Sequence, residues 1–230
     1  MAFSWESRIT SSLSFMSVIN IHKIPILQKV SLQDVKMAME DHCQKHFITN
    51  VNWPSFYPYQ PICVFMMAYT DKAFYIHFFS HGHDLRAVNS ANLSPVAQDS
   101  CVEFFMQLPN NPEYWNFEFN CIGAVNASHR VERDNPQRLT DAQIRSIRRL
   151  SSCGNKPFEE KEGLHSWELT VVIPFTLFGF DADHLPSHIF ANLYKCGSKT
   201  QHPHFLSWTP IRTKVPNFHS PRFFGRINLL

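Results

Sequence analysis

No stretch of this sequence approaches the ~20 consecutive apolar residues that a helical membrane span requires. The segment from Ser11 to Ile21 is moderately apolar, but it lacks a strongly basic start, a clean apolar centre and an Ala-x-Ala-like cleavage site. No export signal is therefore expected, and the chain as written reads as cytoplasmic unless its true start lies upstream. Charge of one sign is also scarce: the formal net charge is +2, and Lys and Arg are scattered rather than gathered into the basic stripe a nucleic-acid partner needs. There is no internal repeat, low-complexity tract or obvious linker. The 15 Pro and only 7 Gly are spread along the chain and punctuate short segments.

Closely spaced cysteines are missing as well. Cys43, Cys63, Cys101, Cys121, Cys153 and Cys196 lie far apart, with no Cys-x-x-Cys and no Cys/His cluster of zinc-site spacing, so no thiolate metal site is expected. Cys101 and Cys121 fall in neighbouring predicted strands, where a disulfide or two buried free thiols would both fit; free thiols are the commoner outcome. The histidine pairs His81-Gly82-His83 and His202-Pro203-His204 span loops without a carboxylate partner and read as exposed or packed rather than ligating.

What the chain does have is apolar surface. Hydrophobic residues make up 44% of it, 21 of them Phe, enough to offset chain entropy in one core. Strand signals dominate: Ile62 to Tyr69, Ala73 to Phe79, Cys101 to Leu108, Tyr114 to Cys121, Ile122 to His129, Ser166 to Ile173 and Ile189 to Cys196. Thr70-Asp71-Lys72 is short enough for a hairpin. Ser31 is placed to cap a short helix starting at Leu32, with Asp34 favouring its N-terminus. Thr140 is placed to cap another, with Ile144, Ile147 and Leu150 on one face and Arg145, Arg148 and Arg149 largely on the solvated other. The expected fold is all-β: an antiparallel two-sheet sandwich, jelly-roll or immunoglobulin-like, with one or two short helices. Residues 1–50 are expected to form an extension whose helix packs on the sandwich, and residues 51–230 the sandwich itself.

Alternation along Tyr114-Trp115-Asn116-Phe117-Glu118-Phe119-Asn120-Cys121 places Trp115, Phe117, Phe119 and Cys121 on one face and Tyr114, Asn116, Glu118 and Asn120 on the other. The first face is core. The second is a row of polar groups that is costly to bury without partners, hence wet or ligand-binding. Glu103, in Cys101-Val102-Glu103-Phe104-Phe105, stands beside that row if the two strands pair. Such a floor suits sugars, whose hydroxyls need fixed donors and acceptors and whose ring faces pack on aromatic planes. Trp208, among Pro and Ser after a predicted strand, is the expected platform, Trp53 in Asn52-Trp53-Pro54 the second, and Lys195 a donor from the neighbouring strand.

Several blocks in order resemble carbohydrate-binding module family 9, particularly the family 9-like proteins of bacterial glycan-utilising organisms. They are Gln98-Asp99-Ser100-Cys101-Val102-Glu103-Phe104-Phe105, Tyr114-Trp115-Asn116-Phe117-Glu118-Phe119-Asn120 with Gly123, Trp167-Glu168, Ile173-Pro174-Phe175 and Ala191-Asn192-Leu193-Tyr194-Lys195-Cys196. His204-Phe205-Leu206-Ser207-Trp208 and Asn217-Phe218-His219-Ser220-Pro221-Arg222-Phe223-Phe224-Gly225 complete the set. The resemblance implies a DOMON-like β-sandwich that grips sugar between aromatic side chains and does not turn it over. Two residues before Asp99, where many relatives carry tryptophan, this chain has Ala97. The resemblance also implies that a structural calcium can be present; Asp71, Asp84 and Asp99 are available, without an assignable set.

The expected function is thus non-catalytic binding of a mono- or oligosaccharide through Trp208, Tyr114, Asn116, Glu118, Asn120, Lys195 and Trp53. Two alternatives stand beside it: a glycosidase-like enzyme using Glu103 and Glu118, which would need the carboxyls ~5–5.5 Å apart if retaining, and a scaffolding sandwich that has lost its sugar site.

Overall fold

The computed structural model describes residues 16–180 and 184–230, so part of the Ser11–Ile21 stretch lies outside the described residues. The strands are β1 (Val18–Ile21), β2 (His46–Phe47), β3 (Asn50–Val51), β4 (Ile62–Tyr69), β5 (Ala73–Ala87), β6 (Cys101–Gln107) and β7 (Tyr114–Asn120). They continue as β8 (Val125–Arg130), β9 (Gln137–Arg138), β10 (Arg148–Ser151), β11 (Phe158–Pro174), β12 (His188–Gly197), β13 (His204–Ser207) and β14 (Gly225–Leu229). The helices α1 (Val35–Glu40) and α2 (Asp141–Ser146) are each two turns or less.

Two sheets result. The first runs β1-β14-β12-β6-β7-β8-β9, with β13 beside β12 and β3 beside β13; the second runs β10-β11-β5-β4-β2. Between the named strands pairing is antiparallel except for β1 on β14. The all-β sandwich expected from alternation is therefore the fold. The residues before position 51 contribute strands to both sheets, β1 and β3 to the first and β2 to the second.

Alternation decides the interior. Val102, Phe104, Trp115, Phe117 and Phe119 from the first sheet meet Phe65, Phe74, Ile76, Phe78, Leu169 and Val171 from the second in one dry core. Each such side chain contributes about 1.5–3 kcal/mol through removal from water. Helix α1 buries Val35 and Met39 against Met66, Ala68 and Tyr75 on the outer face of the second sheet. It begins three residues later than the Leu32 start expected, because the Ser31 hydroxyl bonds Asp34 Oδ2 at 2.6 Å instead of a backbone amide. Helix α2 has the capping box that Thr140 suggested, completed by Gln143. It stops at Ser146, and Arg148–Ser151 turn into a strand paired with β11, so Leu150 lies in a sheet and not on the helix.

Cys101 and Cys121 do not meet. Cys101 is paired with Asn120, so Cys121 lies one residue past its partner and the two face opposite sides of the first sheet, Cys121 into the main core and Cys101 away from it. All six cysteines are free. The close thiol partners are instead Cys101 with Cys196 and Cys121 with Cys153.

Candidate functional site

The polar row lies on the outer face of the first sheet, as alternation demanded, but it is not an open floor. A segment running from Thr209 to Phe224 folds back across it, and Ile211, Phe218 and Phe224 with Trp53 form a second apolar cluster over Phe105, Tyr114 and Tyr194. Under this roof Tyr114, Asn116 and Asn120 are buried, and Glu118 retains 7% exposure.

Each member of the row has partners that explain its burial. Asn120 donates to Asp99 Oδ2 at 2.9 Å and to the Asn89 carbonyl at 2.6 Å, and accepts from the Ala124 amide at 3.0 Å. It therefore ties the β7–β8 turn to the loop before β6. Asn116 donates to Glu118 Oε1 at 3.0 Å and accepts from Arg130 Nε at 2.7 Å. The other carboxylate oxygen of Glu118 accepts from Asn126 Nδ2 at 3.0 Å. The Tyr114 hydroxyl lies 3.1 Å from His219 Nδ1.

Between roof and sheet is a cavity of about 240 Å³. Its sheet side is Glu103, Glu118 and Cys196; its roof and rim are Ala97, Arg133, Ser198, Phe205, Pro216, Asn217, Phe218 and His219. Glu103 faces Glu118 directly across β6 and β7. Burial pushes the Glu118 carboxyl up, against the pull of its Asn126 and Asn116 hydrogen bonds and of Arg130. Burial also raises Glu103, helped by the Cys196 thiol and by Glu118. His219 is pushed down to about 3 by burial, with Arg130 and Arg133 adding to the effect, so its ring is neutral at physiological pH. The cavity thus offers carboxyl, amide, imidazole and guanidinium groups beside two phenyl rings.

Not every residue expected at the site is here. Trp208 is a correction: its ring packs edge-on against Phe65 at 6.2 Å, on the inter-sheet side, and a Cβ at Gly225 would lie 2.7 Å from its Cζ3. Lys195 is a second correction. It alternates with Tyr194 and Cys196 and so points inward, fully enclosed, with Nζ bonded to the Cys196 carbonyl and 2.7 Å from His204 Nε2. Trp53 is beneath the roof, not exposed: its indole donates to the Thr213 carbonyl at 2.7 Å and its ring packs on Phe218 and Phe205. Of the expected row, Glu118 alone lines the cavity.

The residues that sequence reasoning missed are Arg133, Phe205, Asn217, Phe218 and His219. The signal that could have found Phe205 is parity, since Leu206 is wholly buried in the main core and its neighbour must point the other way. The roof residues carry no periodicity and had only their aromatic and polar character to mark them.

Of the aspartates considered for calcium, Asp99 and Asp71 are otherwise engaged. Asp99 is fully buried and accepts from the Val88 and Asn89 amides beside Arg86; Asp71 pairs with Lys23 at the surface. The side chain of Asp84 lies outside the described ones. A further depression of about 280 Å³ lies between α1 and the second sheet; of the charged groups lining it, Lys36 and Glu168 pair with each other at 2.6 Å, and Glu40 and Lys45 stand beside them.

The family model for carbohydrate-binding family 9 matches residues 32–229. No curated protein sequence matches the chain. Among solved structures, a Bacteroides uniformis protein assigned as carbohydrate-binding is 32% identical, covers 94% of this chain and all (100%) of its own, and superimposes with a TM-score of 0.86. A family 9 module from Caldicellulosiruptor kristjanssonii in complex with glucose shares 12% identity over 93% of this chain and 96% of its own, with a TM-score of 0.59. Its complex with cellotriose gives 12%, 93%, 93% and 0.53. At that identity the likeness is one of fold.

Proposed function

The chain belongs to carbohydrate-binding family 9, and from that footing we propose that the cavity between the first sheet and its Thr209–Phe224 roof holds one sugar unit without turning it over. The observation that carries this reading is the setting of Glu118. Two asparagine amides, one on each oxygen, fix its carboxylate at the wall of a cavity that Phe205 and Phe218 also line. A carboxylate so held forms charge-assisted bonds to hydroxyls, and phenyl rings supply the apolar surface that a pyranose face needs. His219 and Asn217 add neutral donors and acceptors. A volume of about 240 Å³ favours a single ring, such as a chain end, over an internal stretch of polymer.

Glucose and cellotriose, bound by the Caldicellulosiruptor module, are the first ligands to try. The aromatic contact in this reading comes from Phe205 and Phe218, with Trp208 as part of the scaffold behind them. Calorimetry on glucose, cellobiose and cellotriose tests it. Glu118→Gln is expected to weaken binding roughly tenfold or more, from the ~1.5–3 kcal/mol of a hydrogen bond to a charged group. Trp208→Ala is expected to keep the affinity and lower the melting temperature. Undiminished binding by Glu118→Gln, or a folded Trp208→Ala protein that no longer binds, would overturn the site. Release of product from cello-oligosaccharides would replace the binding reading with the glycosidase one.

A further inference from the structure

Cys101 and Cys196 stand directly opposite each other across β6 and β12, and Glu103 lies two residues along β6 on the same face. The spacing in sequence, 95 residues between the thiols, hides what the register does: Cys196 Sγ is 3.0 Å from Glu103 Oε1, Cys101 Sγ is 4.0 Å from it, and one ligand atom from each residue falls within 4.8 Å of the other two. With Zn–S near 2.3 Å and Zn–O near 2.1 Å, a tetrahedral centre has S···S and S···O edges of roughly 3.8 and 3.6 Å. The three atoms already lie close to that triangle, on strands that neighbouring pairing holds on both sides.

Two further observations point the same way. Among the described residues, the only hydrogen bonds to the Glu103 carboxylate come from thiols, which are weak donors, although the residue is only 3% exposed. A buried carboxylate without an amide, hydroxyl or cationic partner is costly, and a bound cation relieves that cost. The set is also reachable, since Glu103 and Cys196 form part of the cavity wall.

We propose that Cys101, Glu103 and Cys196 form a three-ligand site for a thiophilic divalent cation of the zinc type, with its fourth coordination position open to the cavity. Two sulfurs and one oxygen select against calcium and magnesium, which take oxygen donors, and three protein ligands with one open position is the arrangement in which zinc accepts a water or an external oxygen ligand. The site does not depend on sugar binding.

Cobalt(II) titration of the reduced, full chain tests it. One equivalent is expected to give a sulfur-to-cobalt charge-transfer band with the intense visible bands of a tetrahedral ion, and zinc to abolish them. Cys101→Ser and Cys196→Ser are each expected to lose most of the charge-transfer intensity, and Cys121→Ser, whose thiol faces the main core near Cys153, to keep all of it. Absence of the charge-transfer band, or its loss in Cys121→Ser with retention in Cys196→Ser, overturns the assignment. Should the serine variants fail to fold, zinc K-edge absorption of the unaltered protein decides: two sulfur scatterers support the site, and a shell of nitrogen and oxygen alone refutes it.

Discussion

His77 shows how one side chain can set the acid limit of the protein. Its ring is 4% exposed, bonded through Nδ1 to Thr170 Oγ1 at 2.9 Å, and burial lowers it to about 4, the nearby Glu168 carboxylate only partly opposing the effect. Because the folded value lies below the unfolded one, near 6.5, the unfolded chain binds the extra proton first, so stability is complete above about pH 6.5 and falls as pH drops toward 4. Between pH 7.5 and 5 this group alone should cost on the order of 2 kcal/mol. Urea unfolding at the two pH values, compared with the same pair for His77→Gln, should show a visibly flatter dependence in the variant. Ala97 makes a different prediction. It lines the cavity, so Ala97→Trp adds a ring to that wall and should tighten sugar binding several-fold, about 1 kcal/mol, by calorimetry. The residue scale is also where sequence reasoning fell short. The chemistry of Lys195, and the Pro and Ser around Trp208, suggest a ligand surface, whereas alternation through Tyr194-Lys195-Cys196 and Phe205-Leu206-Ser207-Trp208 carries both to the inner side.

At the scale of elements the sequence was more legible. The β4 limits, the core face of β7 and the hairpin at Thr70-Asp71-Lys72 all follow from period-two patterning and turn length, because one buried face makes a one-residue slip prohibitive. Helix α2 follows from its capping box. That box predicts that Thr140→Ala lowers stability by about 1 kcal/mol, or roughly 2–4 °C in melting temperature for a chain of this size, since Ile144 and Ile147 lose the turn that presents them to the core. Proteolysis within 139–148 should accelerate in the same variant. Helix α1 was less legible, because Ser31 and Asp34 bond to each other and the chain begins its helical turns only after them.

For the molecule as a whole, alternation and turn spacing sufficed for two sheets around one interior, but not for the layer outside them. The Thr209–Phe224 roof is irregular and proline-containing, and its position depends on contacts with Trp53, Tyr194 and Phe105 that no local pattern announces. Hence the polar row of β7 is legible in the sequence while its burial is not, and the cavity residues Asn217 and His219 owe their place to the roof. The register between β6 and β12, which brings Cys101 to Cys196, is equally a product of long-range pairing.

The parallel pairing of β1 with β14 carries a mechanical consequence. The two strands run side by side in one direction, joined by Arg226 to Ser17 and by Leu230 to Ile21 main-chain bonds. A pull applied ahead of β1 and beyond β14 drags them past each other, so those bonds are strained together in shear rather than unzipped in turn, and this seam at one edge of the first sheet resists tension along the chain.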